Sequence, residues 1–274
     1  MLVSRSVPPA RTDAWPKLLE PGQVHTRWSL LLESTRMNPL LRAALVAVVM
    51  FLPAVATAGA PDQPTVLITG ASRGIGLELA RQYAAKDWRV IATARDPTRA
   101  SDLQKLAAAD PDVVVETLDV TDHNQVDALA AKYRDQPVDL LLLNAAQGPT
   151  PQTAARSLAK LDFAEARESF AVNAIGPMKM AQAFLNSVAA SSRKLIVAIS
   201  SDSGSLEASV KLPILYNYKA SKAALNMYMH TLSFETPRKG ITVVMLHPGI
   251  VKTNPGLARF PGALETPDAV GRRA

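Results

Sequence analysis

The sequence predicts an α/β protein in which a doubly wound, six-stranded parallel sheet occupies residues 65–274. Short apolar runs alternate with stretches of helical periodicity, as expected when helices cover both faces of a parallel sheet. A glycine-rich segment also joins the first apolar run to the first helical stretch. The predicted strands are TVLITG, RVIATA, DVVVETL, VDLLLL, KLIVAIS and ITVVMLHPG, and the predicted helices span 75–86, 99–109, 123–133, about 163–190 and 216–235.

Composition narrows the class of protein. Of the 274 residues, 48% are hydrophobic and 20% are charged, which suits a folded domain with a sizeable core. The net charge is +6, but the lysines and arginines are scattered, so we expect no nucleic-acid partner. The chain has no cysteine and only 4 histidines, none of which pairs with another at the spacing of metal ligands. We therefore expect no metal site.

Residues 1–64 differ from the rest and are expected to lie outside the sheet domain. The segment 37–60 resembles an export signal, because Arg42 precedes an apolar run and the stretch from Ala43 to Ala60 carries no charge. Within it, ATA at residues 56–58 has the small-x-small form that signal peptidases cut.

This pattern leads us to expect an exported protein, periplasmic or secreted. One explanation for its position is that translation starts at Met37, and the sequence leaves the true start codon undecided. Two alternatives stay open. One is an uncleaved anchor that contacts the membrane through residues 40–58, although this run is shorter than the roughly 20 apolar residues that a spanning helix needs. The other is a cytoplasmic protein with an apolar leader.

The glycine-rich segment TGASRGIG, residues 69–76, predicts a dinucleotide-binding turn between a strand and a helix. Gly70 permits the tight turn, while Gly74 and Gly76 allow the backbone to approach a pyrophosphate. The start of the following helix offers free N–H groups and a partial positive charge to the phosphates.

Two arginines favour NADP(H) over NAD(H), which remains the alternative. An enzyme that prefers NAD usually has an acidic residue at the end of the second strand, where this chain has Ala94 and Arg95. A guanidinium can pair with the 2′-phosphate, and Arg73 supplies a second cation nearby. Asp96 begins an Asp-Pro-Thr segment that is typical of a helix cap.

Tyr218 and Lys222 lie four residues apart on a predicted helix and so share one of its faces. A tyrosine ordinarily titrates near pH 10, and we expect the neighbouring ammonium to lower that pKa. Tyr218 could then exchange a proton with a carbonyl or alcohol oxygen.

Four motifs together resemble the short-chain dehydrogenase/reductase family, nearest the C-factor-like carbonyl reductases. They are TGASRGIG, AISSDSGS, YKASKAALNM and HPGIVKT, and the resemblance covers residues 65–269. It implies a Rossmann-type fold and an oxidoreductase that transfers a hydride between NADP(H) and a small carbonyl or alcohol substrate.

The resemblance also implies roles for individual residues. Tyr218 is the general acid/base, Ser201 holds the substrate oxygen, Asn173 anchors a water that relays protons, and Lys222 also holds the nicotinamide ribose. The implied cofactor-binding residues are Gly70, Ser72, Arg73, Gly74, Ile75, Gly76, Arg95, Asp119, Val120, Asn144, Tyr218, Lys222, Pro248, Gly249, Ile250 and Thr253.

The chain departs from the family pattern in two places. The family's Asn-Asn-Ala-Gly appears as Leu143-Asn144-Ala145-Ala146, which puts cofactor packing near Asn144 in doubt. The sequence also stops at ALETPDAVGRRA, where the family continues into a last helix and strand. We expect this strand and helix to be absent, which would leave the strand beginning at Ile241 as an exposed edge.

Two functions are therefore carried forward. The first is an NADP-dependent oxidoreductase whose activity is impaired by the short C-terminus. The second is an NADP-binding regulatory or signalling protein with little or no catalysis. The sequence leaves the oligomeric state undecided, with a dimer or tetramer implied by the family.

Overall fold

The computed structural model describes residues 63–249 and residue 251. The predicted leader, the signal-like segment 37–60 and the question of a further C-terminal strand and helix lie outside the described residues. Among the described residues, no helix is both long and apolar enough to cross a bilayer.

Six parallel strands form one sheet, as the sequence predicts, and the structure gives their order as β3-β2-β1-β4-β5-β6. The chain moves outward from β1 to β3, crosses back to β4 beside β1, and then moves outward in the other direction. The strands are β1 (Thr65–Ile68), β2 (Arg89–Ala94), β3 (Val113–Thr117), β4 (Leu140–Leu143), β5 (Leu195–Ile199) and β6 (Thr242–Leu246).

Helices connect the strands and cover both faces of the sheet. Short 3-10 turns at 97–99, 158–160, 202–204 and 236–239 lie in the connections. The helices are α1 (Gly74–Ala84), α2 (Ser101–Ala109), α3 (His123–Lys132), α4 (Pro151–Ala154), α5 (Phe163–Phe170), α6 (Gly176–Ala190) and α7 (Tyr216–Glu235).

The core consists of two apolar clusters, one on each face of the sheet. Successive strand residues point to opposite faces, so Val66 and Ile68 join one cluster while Leu67 joins the other. Helices α1 and α2 cover the first cluster, and α3, α6 and α7 cover the second. This two-sided burial explains why the central strands read as continuous apolar runs.

The predicted helix at 163–190 is interrupted by a π-helical turn over Ala171–Ile175. Pro177 follows this turn and has no N–H to donate to the carbonyl of Asn173, four residues earlier. The regular α-helical ladder therefore cannot continue through this point. Single π-helical turns of this kind are frequent at functional sites.

Strand β6 is the outermost strand on its side of the described sheet. Val244 and Met245 are 38% and 44% exposed, in contrast to the fully buried residues of β1. The carboxyl ends of all six parallel strands meet at one edge, which we call the carboxyl edge. In this class of sheet, ligands bind at that edge, near the point where the strand order reverses. Here that point lies between β1 and β4.

Candidate active site

The glycine-rich turn leaves β1 at the carboxyl edge and enters α1. Gly70 has φ +68°, a left-handed conformation that an L side chain rarely adopts, and a Cβ there would lie 2.8 Å from Ala145 Cα. Gly76 is equally constrained, because a Cβ there would lie 2.4 Å from the Gly70 carbonyl oxygen. The turn therefore requires glycine at both positions.

Asn144 fixes this turn from the neighbouring strand. Its Nδ2 donates to the carbonyl oxygens of Thr69 and Gly70 at 2.9 and 3.0 Å. Its backbone N–H is bound by the Thr69 hydroxyl oxygen at 2.9 Å. Leu143, which replaces the family's first asparagine, is buried in the core. The retained asparagine thus holds the glycine-rich turn even though its neighbour has changed.

The two predicted cations lie at the same edge. Arg73 is the N-cap residue of α1 and has an extended backbone conformation. Arg95 directly follows β2. Both are exposed, and neither has an ion-pair partner within the described part of the chain. As expected for a cap, the Asp96 carboxylate accepts the Thr98 N–H at 3.0 Å.

The remaining predicted cofactor residues fall into three groups. Ser72 and Ile75 are half-buried in the glycine-rich turn and the first turn of α1. Asp119 and Val120 follow β3 at the carboxyl edge. Pro248 and Gly249 follow β6, with Gly249 at φ +78°. Ile250 and Thr253 lie outside the described residues.

The structure brings Tyr218, Lys222 and Ser201 together beside the end of β5. Tyr218 and Lys222 lie on the first turns of α7, and the Ser201 hydroxyl lies close enough to Tyr218 to lower the pKa of its phenol. The Lys222 side chain is buried, and its Nζ donates to the Ile199 carbonyl oxygen at 2.8 Å. The same Nζ lies 6.0 Å from the centroid of the Tyr218 ring.

The expected lowering of the Tyr218 pKa by Lys222 is wrong for this structure. Burial raises the pKa of Tyr218, and the charge of Asp202 raises it further, while the Ser201 hydroxyl lowers it. The ammonium of Lys222 does not offset these effects because it binds a backbone carbonyl instead of the phenol. Burial also lowers the pKa of Lys222 to about 8.

Asn173 lies in the π-helical turn with a fully buried side chain. Its Oδ1 accepts the Gln147 N–H at 2.7 Å, and its Nδ2 donates to the Gln147 carbonyl oxygen at 3.0 Å. The same Nδ2 donates to Ser221 Oγ at 3.0 Å, and Ser221 Oγ donates to the carbonyl oxygen of Tyr218 at 2.9 Å. Asn173 thereby ties the segment after β4 to the helix that carries Tyr218.

Sequence reasoning missed four residues of the site. Ser221 lies inside the YKASK motif, between Tyr218 and Lys222. Gln147, Asp202 and His247 follow strands β4, β5 and β6. Asp202 and His247 also lie inside the AISSDSGS and HPGIVKT motifs, whereas position after a strand was the only signal for Gln147. Gln147 also lines a cavity beside Tyr218, together with Ser169, whose Oγ donates to Gln147 Oε1 at 3.2 Å.

The fold and this edge together define a doubly wound α/β protein with a dinucleotide-type glycine turn and a Ser–Tyr–Lys site. The sequence profile of the short chain dehydrogenase family matches residues 64–259. The chain therefore belongs to the short-chain dehydrogenase/reductase family.

Individual relatives agree with this assignment. C-signal from Myxococcus xanthus is 35% identical over 144 residues, which is 52% of this chain and 82% of that protein. An NADPH-bound carbonyl reductase from chicken fatty liver is 32% identical with a TM-score of 0.68, over 75% of this chain and 87% of that chain. An NADP-bound short-chain dehydrogenase/reductase structure from Burkholderia multivorans is 30% identical with a TM-score of 0.66, over 76% and 87%.

Proposed function

We propose that the chain is an NADP(H)-dependent oxidoreductase that interconverts a small carbonyl compound and the corresponding alcohol. One observation carries this proposal. Tyr218, the neighbouring Ser201 and the buried Lys222 converge at the sheet edge that also carries the glycine-rich turn. A proton donor for the substrate oxygen and a phosphate-binding turn are thus combined in one place.

The residues at this edge fit a phosphorylated dinucleotide. Gly70 and Gly76 keep backbone groups clear of side chains, and the first turn of α1 contains no acidic residue that would repel a pyrophosphate. Arg73 and Arg95 would hold the 2′-phosphate. Once bound, the nicotinamide supplies or accepts the hydride. NADP and NADPH are also the cofactors in the two solved relatives named above.

The chain's own residues would handle the proton. Tyr218 would give its proton to the carbonyl oxygen in reduction, or take one from the alcohol in oxidation. Ser201 would bind the same oxygen. Lys222 would orient the ribose and support Tyr218, and Asn173 would keep the segment after β4 in register with α7 through its bonds to Gln147 and Ser221.

The test combines turnover with cofactor choice. The purified chain should oxidise NADPH in the presence of simple aldehydes, ketones or quinones, and it should bind NADPH more tightly than NADH. Replacing either Arg73 or Arg95 by alanine should weaken NADPH binding by about 10- to 150-fold, since one charge-assisted pair contributes roughly 1.5–3 kcal/mol. NADH affinity should change little.

Arg134→Ala is the matched control, because this exposed arginine follows α3, away from the carboxyl edge. It should leave both affinities unchanged. Equal affinity for NADH and NADPH would contradict the cofactor assignment. Tight NADPH binding without turnover of any carbonyl would instead favour the regulatory alternative.

A further inference from the structure

A small cavity lies beside Tyr218, between the segment that follows β4, the helix α5 and the start of α7. Its volume is about 20 Å³. This is enough for one water-sized group, such as a hydroxyl, and too little for a ring or a carbon chain. The polar side chains around it are those of Gln147, Thr153, Glu165, Ser169, Asn217 and Tyr218. The cavity therefore suits one small polar group.

Contacts among the described residues fix the walls of this cavity. Asn173 holds the backbone N–H and carbonyl of Gln147 at 2.7 and 3.0 Å. The Leu215 N–H donates to the Ala154 carbonyl oxygen at 2.9 Å. Leu215 has φ +61°, a left-handed conformation that strains a leucine and persists only where its surroundings hold it. Strained residues of this kind cluster at ligand sites, which favours a built site over a gap in the packing.

Two amide side chains at the cavity keep unused hydrogen-bonding groups. Gln147 Oε1 accepts from Ser169 Oγ at 3.2 Å, and no hydrogen bond within residues 63–249 uses Gln147 Nε2. Asn217 Nδ2 donates to the Asp162 carbonyl oxygen at 3.2 Å, and Asn217 Oδ1 accepts no hydrogen bond in the same range. The glutamine thus leaves a donor, and the asparagine leaves an acceptor.

The other polar walls are mostly paired. Thr150 and Thr153 bind each other, because the side chain of each accepts the backbone N–H of the other. Glu165 forms an ion pair with Arg156 through Oε2, and its Oε1 has no partner among the described residues. Because Arg156 neutralises this carboxylate, the cavity does not require a cationic ligand. The uncommitted groups are therefore one amide donor, from Gln147, and two acceptor oxygens.

These groups indicate which ligand chemistry the cavity takes. A carbonyl oxygen can only accept a hydrogen bond, and an ammonium can only donate one. A hydroxyl does both through a single oxygen. It would accept from Gln147 Nε2 and donate to Asn217 Oδ1 or Glu165 Oε1. A hydroxyl is therefore the group of this volume that uses the donor and an acceptor together.

We propose that this cavity is a subsite for a hydroxyl group of the substrate, and that the substrates are α-hydroxy ketones or α-hydroxy aldehydes. The proposal rests on the function proposed above, in which Tyr218 binds the carbonyl oxygen. Because Tyr218 also forms a wall of the cavity, a hydroxyl held there belongs to a carbon close to the carbonyl.

The reaction leaves this hydroxyl unchanged. The carbonyl carbon takes a hydride from NADPH, and the carbonyl oxygen takes the proton of Tyr218, which yields a vicinal diol and NADP. Solvent then returns one proton to Tyr218. In the reverse direction, one carbinol group of the diol loses a hydride to NADP and a proton to Tyr218.

The test compares two ketones of matched shape, with the full chain and NADPH. Hydroxyacetone and butanone differ only in a hydroxyl that replaces a methyl group. The wild type should reduce hydroxyacetone with a kcat/KM about 30-fold higher, because two hydrogen bonds of average strength contribute about fivefold each. Equal values for the two ketones would overturn the proposal, and they are the result expected if the cavity holds only a fixed water.

Two variants assign the effect to the cavity. Gln147→Met removes the donor and Asn217→Leu removes an acceptor, each with a side chain of similar shape. Each variant should lower kcat/KM for hydroxyacetone about fivefold, mainly through KM, and leave kcat/KM for butanone nearly unchanged. A ratio between the two ketones that stays at its wild-type value in both variants would contradict the subsite.

Gln182→Met is the matched control, because Gln182 is an exposed glutamine on α6 that does not line the cavity. It should keep the wild-type kcat/KM for both ketones. A preference for hydroxyacetone that falls equally in this variant would show that the preference arises elsewhere.

A binding measurement separates this proposal from the proposed function. In the presence of NADP, saturation-transfer NMR should show stronger binding of propane-1,2-diol than of butan-2-ol, and Gln147→Met should reduce the difference. If the wild type reduces neither ketone, the proposed function fails, while the difference in binding still decides whether the cavity takes a hydroxyl. Equal binding of the two alcohols would refute the subsite.

Discussion

The two halves of the carboxyl edge are built differently. On the proposed cofactor side, β1 and β2 are almost entirely buried, and the candidate ligand groups are backbone atoms, glycines and the exposed Arg73 and Arg95. On the proposed catalytic side, β6 is largely exposed or half-buried. The candidate groups are the half-buried Ser201 and Tyr218 and the buried Asn173 and Lys222, of which Asn173 is held by Ser221 and Lys222 by the Ile199 carbonyl.

This difference explains why the two halves respond differently to change. Backbone geometry and exposed charge bind a cofactor without first being assembled by other side chains. Tyr218, in contrast, depends on Ser201, and its helix depends on Asn173 through Ser221. We therefore expect substitutions on the catalytic side to alter chemistry and stability together, and those on the cofactor side to alter affinity alone.

Tyr218→Phe should show the largest difference between the two sides, because kcat should change while NADPH affinity does not. Removing the proton donor should lower kcat by about 10²- to 10⁴-fold, the usual contribution of general acid–base catalysis. NADPH affinity should stay nearly constant, because the ring and its packing remain. Steady-state kinetics and fluorescence titration of NADPH measure the two effects.

Tyr228→Phe provides the comparison, since Tyr228 is an exposed tyrosine on the same helix. It should retain wild-type kcat. A Tyr218→Phe variant that keeps most of its activity would show that another group supplies the proton.

The sequence predicted the secondary-structure elements of this molecule better than the contacts between its side chains. Helix α7 begins and ends where predicted, at Tyr216 and Glu235, because its periodicity is unbroken. The π-helical turn was missed because its cause is a single proline, whose effect on the ladder depends on the packing around it. The order of the strands in the sheet was not predicted, because it depends on which strands pair in three dimensions.

The site divides in the same way. Residues inside recurring motifs, such as Tyr218 and Lys222, were found, and the structure places them together. Gln147 belongs to no motif, and Asp202 lies inside AISSDSGS without an assigned role, because their contacts with Asn173 and Ser201 appear only in three dimensions. The direction of the Tyr218 pKa shift was also beyond the sequence, because it depends on burial and on where the Lys222 ammonium points.

A smaller effect, on the stability of the catalytic side, is expected from replacing Asn173. Asn173→Ala removes three hydrogen bonds and leaves the backbone N–H and carbonyl of the half-buried Gln147 and the buried hydroxyl of Ser221 without this partner. Each unsatisfied buried group costs about 1–3 kcal/mol, so the free energy of unfolding should fall by roughly 3 kcal/mol. Urea unfolding measures the change.

The control for this test is Asn186→Ala, at an exposed position on α6. It should change stability little, as surface substitutions usually do. If Asn173→Ala were as stable as Asn186→Ala, Asn173 would not be the tie between the segment after β4 and α7. NADPH affinity should survive in any Asn173→Ala protein that remains folded.

The smallest effect concerns the cost of burying Lys222. Its pKa is about 8 in the folded chain, below the ordinary lysine value of 10.5. Below pH 8 the ammonium is charged in both states, and the folded state bears the cost of desolvating it. Between these two values the unfolded chain binds more protons, so stability rises with pH. Lys222→Met should therefore stabilise the protein near neutral pH while abolishing the support of Tyr218.

The expected gain follows from the same shift. A shift of this size corresponds to about 3 kcal/mol, and losing the bond to Ile199 offsets about 1 kcal/mol of it. Urea unfolding should thus show Lys222→Met about 2 kcal/mol more stable than the wild type near neutrality, with the advantage shrinking as pH rises through 8 towards 10.5. Lys211→Met, at an exposed lysine, should show no such pH-dependent gain. A gain that persists undiminished at high pH would mean that better apolar packing, and not relief of a buried charge, stabilises the variant.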